Sequence, residues 1–72
     1  MKGTLKTIKQ TIAQEASRKR TYDMLMYKIA GMLDVCVSEN IDILHLEVEK
    51  NKQIEGYDIC IYGVEAEEQN KT

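Results

Sequence analysis

The sequence predicts an α+β domain in which one or two N-terminal helices precede a C-terminal β-hairpin, the fold being completed by dimerisation. Three observations predict it. Up to Cys36 the apolar residues recur at three- and four-residue steps, as along one side of a helix. From Ile41 onward they alternate with polar residues, as along strands. The 72 residues make one small domain, and a chain of that size buries only about 60% of its unfolded surface, which leaves it in need of added support.

The first helical stripe runs through Leu5, Ile8, Ile12 and Ala16, with Thr4 as its N-cap. The second runs through Tyr22, Leu25, Met26, Ile29, Ala30, Leu33 and Cys36, with Thr21 as cap and Asp23 in the first turn. One heptad register can be drawn through both stripes, but a single helix of that length would span about 50 Å. The stripe also fails at Glu15 and Lys19, in and beside the polar run Ser17 to Thr21. Two helices with a break near residues 18–21 are expected, residues 1–37 forming a basic helical part.

The β part covers residues 41–64. Ile41 to Glu49 alternates, with Leu44, Leu46 and Val48 on one face and His45, Glu47 and Glu49 on the other. Lys50-Asn51-Lys52-Gln53 is turn-like. A second strand over residues 54–64 sets Tyr57, Ile59 and Ile61 on one face and Asp58, Cys60, Tyr62 and Val64 on the other, with Glu55-Gly56 as a bulge that resets the register. Residues 65–72 form a polar, fraying tail. A lone two-stranded sheet is marginal in water. A helix can cover one face, and an edge strand carrying Cys60, Tyr62 and Val64 invites pairing. A homodimer that joins two hairpins or packs two helices together is the expected solution, with Gly31 beside Ala30 allowing close approach.

Several functional classes are disfavoured. The N-terminal Lys2, Lys6 and Lys9 are followed by no apolar segment of a secretory leader. The most apolar stretch, Met24 to Val37, is interrupted by Lys28 and Asp34 and falls short of the roughly 20 residues of a membrane span. A cytoplasmic location is expected, with Cys36 and Cys60 reduced. Nucleophilic catalysis would need one of these cysteines beside His45, the only histidine, yet Cys36 lies on an apolar stripe and His45 on a polar face. Zinc would find three soft ligands at most, without a Cys-x-x-Cys pair. The alternating glutamates lack the apolar pocket that raises a catalytic carboxyl, and the glycines are too scattered for a phosphate loop. A non-enzymatic protein without metal or cofactor is expected.

Charge is the strongest functional signal. Residues 1–32 carry seven basic groups against Glu15 and Asp23, and residues 33–72 carry ten acids against Lys50, Lys52 and Lys71. Carboxylates two residues apart on a strand lie about 6.6 Å apart, which resembles adjacent phosphates along a nucleic-acid strand. The expected binding surface is therefore Asp42, Glu47, Glu49, Glu55, Asp58, Glu65 and Glu67. It suits a basic protein partner, above all one that binds nucleic acid, which it would inhibit by imitating the nucleic-acid backbone. The same acids also serve as a solubilising face neutralised by the basic helix. One alternative is direct nucleic-acid binding through Lys6, Lys9, Arg18, Lys19 and Arg20 on the N-terminal helix, although no Phe or Trp is present to stack on bases. Another is a generic adaptor using the apolar helix surface around Met24, Met26, Tyr27 and Met32. Small size, polarised charge and the lack of catalytic apparatus are compatible with a regulator of phage or mobile-element type.

Overall fold

A computed structural model describes residues 4–66. It contains a strand, β1 (Leu5–Ala13), a helix, α1 (Arg18–Ser38), and two further strands, β2 (Ile41–Lys50) and β3 (Gly56–Glu65). The fold is α+β, and the helix followed by a hairpin is as expected. The expected first helix is instead a strand. Ile8 and Ile12, four residues apart, share a side both in a helix and in a strand, so their spacing does not discriminate. The composition does: Thr7, Ile8, Thr11 and Ile12 are β-branched, stiff at χ1 and suited to a pleated surface. Leu5, counted in the helical stripe, falls on the opposite face from Ile8 and Ile12.

β3 is the central strand, with the order β1-β3-β2, and both neighbours are antiparallel to it. β1 and β2 are thus parallel to each other across β3, and α1 makes the crossover between them. The hairpin is therefore not alone: β1 completes the sheet within the chain, so an unsupported two-stranded sheet no longer argues for a dimer. The register of β1 on β3 is regular from Leu5↔Val64 to Ala13↔Gly56. The irregularity of the sheet lies in β2 between Ile43 and His45, not at Glu55-Gly56. It shifts the alternation, so that Ile41 and Ile43 join Leu46 and Val48 on the side of the helix while Leu44 is the extra residue.

Helix α1 starts one turn earlier than its expected cap. Ser17 is the N-cap, its hydroxyl accepting from the Arg20 N–H at 3.1 Å. Thr21 is turned inward and buried. Its hydroxyl donates to the Ser17 carbonyl at 2.8 Å and accepts from the Glu15 N–H at 3.0 Å, which ties the β1–α1 connection to the first turn. The polar run Ser17 to Thr21 is thus a helix start and not an interruption. At the other end Asn40 takes up positive φ, and its backbone carbonyl accepts from Ala66 N–H at 2.8 Å. The β2–β3 turn is organised by Asn51, whose side-chain oxygen accepts from the N–H groups of Gln53 and Ile54.

The core lies between α1 and one face of the sheet. It joins Leu25, Met32 and Cys36 of the helix to Ile12, Ile59 and Ile61 of the strands, with Ile8, Met24, Ile29, Ile41 and Tyr57 around it. No helix among the described residues is long and apolar enough to cross a membrane.

Candidate functional site

The other face of the sheet carries no helix among the described residues. Cross-strand pairing writes its surface as four rows: Thr11–Asp58–Glu49, Lys9–Cys60–Glu47, Thr7–Tyr62–His45 and Leu5–Val64–Asp42. Four of the expected partner-binding acids, Asp42, Glu47, Glu49 and Asp58, therefore stand on one uncovered surface. Three come from β2 and the fourth from β3, beside Glu49. Lys9 is the one lysine among these rows.

The remaining expected acids are elsewhere. Glu55 is in the β2–β3 turn, where its carbonyl accepts from the Gln14 N–H at 2.8 Å. Glu65 ends β3 opposite Ile41, on the helix side of the sheet. Glu67 and the rest of the expected tail from residue 67 on lie outside the described residues. The bases of the nucleic-acid alternative are not gathered either. Lys6 and Lys9 sit on β1, not on a helix, and face opposite sides of the sheet. Arg18, Lys19 and Arg20 open α1, where Lys19 pairs with Asp23 at 3.0 Å. The apolar set of the adaptor alternative is divided as well: Met32 is buried and Met24 half-buried, leaving Met26 and Tyr27 exposed.

Within the uncovered face the polar groups are connected. Asp58 accepts from Thr11 Oγ1 at 2.8 Å and from Asn51 Nδ2 at 2.9 Å. The Asn51 and Thr11 hydrogen bonds, with a smaller contribution from the Lys9 charge, hold the Asp58 carboxyl below the ordinary range and fix a negative charge there. Glu47 is shared by two neighbours. His45 Nε2 lies 3.3 Å from its Oε1, and the Tyr62 hydroxyl donates to its Oε2 at 3.4 Å. The His45 and Tyr62 rings stack with centroids 5.8 Å apart. The neighbouring Cys60 thiol and the Glu47 carboxylate both oppose a phenolate, and the Tyr62 pKa is pushed up to about 12. The phenol is thus a neutral donor throughout the physiological range.

The soft ligands do not converge. Cys36 is buried beneath the helix, while Cys60 and His45 belong to the uncovered face on the far side of the sheet. Among the described residues no group of three or more His, Cys, Asp or Glu could hold a metal ion. Replacing Asn51 by Ala is expected to move the Asp58 pKa up towards its ordinary value. The folded value is depressed, so the stabilisation it brings is fully present above the unfolded pKa of about 3.9. It is lost as pH falls through the folded value, and this loss should shrink in Asn51→Ala. A carboxyl titration followed by NMR checks this; an Asp58 midpoint unchanged by the substitution would contradict the cause assigned to it.

No protein-family model, curated protein or solved structure matches this chain.

Proposed function

We propose that the chain is a non-enzymatic, dimeric binding protein. Its acidic sheet face engages a basic protein partner that itself binds nucleic acid, and inhibits that partner by imitating the nucleic-acid backbone. One observation carries the reading: Asp42, Glu47, Glu49 and Asp58 share an uncovered face with a single lysine. Glu47 and Glu49 lie about 6.6 Å apart along β2, and Asp58 extends the row onto β3. Arg18, Lys19, Arg20 and Lys28 of α1 lie on the opposite side of the sheet from them. The ion pairs among the described residues are Lys19–Asp23 and, when His45 is protonated, His45–Glu47. A rigid sheet holds such charges in place better than a loop would, which favours steering and register over adaptive contact.

The test compares the chain with a Glu47→Lys/Glu49→Lys variant. Immobilised wild-type chain should capture a basic nucleic-acid-binding protein from lysate, and the purified chain should release labelled duplex from that protein. The doubly reversed variant should capture it at least about tenfold less, the equivalent of 1.4 kcal/mol, and the wild-type interaction should weaken as salt rises. Undiminished capture by the variant would sink the proposal. So would salt-sensitive binding of the chain itself to the duplex.

A further inference from the structure

The two flanks of α1 differ in character. One faces β1, since Tyr27, Gly31 and Asp34 line a groove with Ile8 and Gln10 of that strand. The opposite flank lies towards β2. On it, Tyr22 meets the ring of Tyr57 edge-on with centroids 6.5 Å apart, and both line one groove with Lys50 of β2. This flank reads Tyr22, Met26, Ile29, Leu33 and Val37, in steps of three and four without a charged residue. Its outer positions are well exposed, Met26 at 65% and Val37 at 81%, while Ile29 packs against the core. On the same side of the molecule Ile43, Leu46 and Val48 of β2 are each 37–40% exposed, with Ile41 and Lys50 sharing that side at the two ends of the strand. Among the described residues β2 is also an outer strand, with one edge unpaired.

We propose that this apolar wall is the interface with a second copy of the chain, related by a two-fold axis near Leu46. The inference rests on the dimeric state in the function proposed above and says which surface makes it. Self-complementarity selects a second copy. Antiparallel alignment of two β2 strands about Leu46 sets Leu46 against Leu46 on the helix side. On the uncovered face it sets His45 of each copy opposite Glu47 of the other. Moving the axis to Glu47 would instead oppose two like carboxylates. The other outer strand, β1, is guarded by Lys6 and Lys9.

Size supports the same occupant. β2 is about 33 Å long at 3.3 Å per residue, and helix plus sheet stand roughly 20 Å high. The wall therefore offers on the order of 600 Å² per copy, near the roughly 800 Å² of a standard interface. The irregularity at Leu44 limits strand pairing to the middle of β2, so the helix flanks supply much of the buried area. With two β2 strands adjacent, the two β3 strands lie three strand spacings apart, about 14 Å. The valley between the helices is then floored by Ile43, Leu46 and Val48 and filled by Tyr22, Met26 and Leu33. The arrangement brings both sets of Asp42, Glu47 and Glu49 to the middle of a continuous six-stranded sheet.

Sedimentation equilibrium on the full chain tests the proposal, with Met26→Glu/Leu33→Glu on the β2 flank and Tyr27→Glu on the β1 flank. Both sets of positions are exposed in the single copy, and far-UV circular dichroism reports whether each variant remains folded. Wild type and Tyr27→Glu should be dimeric, and the double variant should dissociate at a concentration on the order of 100-fold higher. Leu46→Cys should cross-link to a dimer on mild oxidation, and Thr7→Cys on the uncovered face should not. A folded double variant that dimerises like wild type overturns the interface and leaves the dimeric state standing. A monomeric wild type overturns both. If the double variant does not fold, failure of Leu46→Cys to cross-link overturns the interface. Partner capture is read separately on Asp58→Lys, which lies on β3 one strand away from the seam, so loss of capture and loss of the dimer stay distinguishable.

Discussion

Ile59→Ala is expected to remove a large part of the folding free energy, about 2–5 kcal/mol. Ile59 is 0% exposed and sits mid-way along the central strand, between Gln10 of β1 and Val48 of β2, under the helix. Truncation there loses the transfer energy of the removed carbons and leaves a void that three hydrogen-bonded strands cannot collapse to fill. A domain of 72 residues has on the order of 4–11 kcal/mol to lose. The same truncation at Val48, on the same sheet face but 40% exposed, should have a much smaller effect in the monomer. Urea midpoints at a protein concentration low enough to keep the chain monomeric make the comparison. A shift for Ile59→Ala no larger than that for Val48→Ala would mean that the core is not where the structure places it.

Two glycine-to-alanine substitutions should act in opposite directions. A Cβ at Gly56 would run into the carbonyl oxygen of Ile12 and lie 3.1 Å from Ala13 Cα. Both obstacles are backbone, so relief requires moving the end of β1 off β3. That would disturb the Gln14 N–H to Glu55 carbonyl bond and the seat of Ile12 in the core. Gly56→Ala should destabilise by about 2–3 kcal/mol as an overpacking change. At Gly31 nothing lies within 4 Å of the added carbon. In mid-helix the gain is the intrinsic preference for Ala, about 0.5–1 kcal/mol. Thermal unfolding of the two variants beside the parent decides the matter, and effects of the same sign would contradict the described packing at one of the two sites.

The sequence made part of this fold readable. Tyr22 to Cys36 is helical in both pattern and structure because its apolar positions span several turns, which no strand can imitate. Leu46 to Val48 and Tyr57 to Val64 likewise keep their two-residue alternation. The first strand was hidden because four-residue spacing is even, so Ile8 and Ile12 satisfy both periods. The alternation of Thr7, Lys9 and Thr11 against Ile8, Gln10 and Ile12 was the signal that could have revealed it. The extra residue at Leu44 left no mark in composition. Of the candidate site, alternation found the shared face of Glu47 and Glu49, and the pairing of strands added Asp42 and Asp58. That Lys9 stands among them could not be read, since it depends on β1 pairing with β3, a contact between residues about fifty positions apart. The Asn51 contact that sets the charge of Asp58 depends on the conformation of the turn.

The position of β3 has a consequence for how the protein is made. It is the last of the three strands along the chain and the only one that touches both others. During synthesis β1 emerges first and has no partner, and neither has β2 when it follows. Nothing can close the sheet until Glu65 is free of the ribosome. Local structure before that moment comprises α1 and the turn end of the β2–β3 hairpin, and the loop closed by Leu5↔Val64 spans almost the whole described chain. The half-apolar strand Leu5–Ala13 must therefore wait through most of translation, and Lys6 and Lys9 help keep it from pairing with neighbouring nascent chains during that wait.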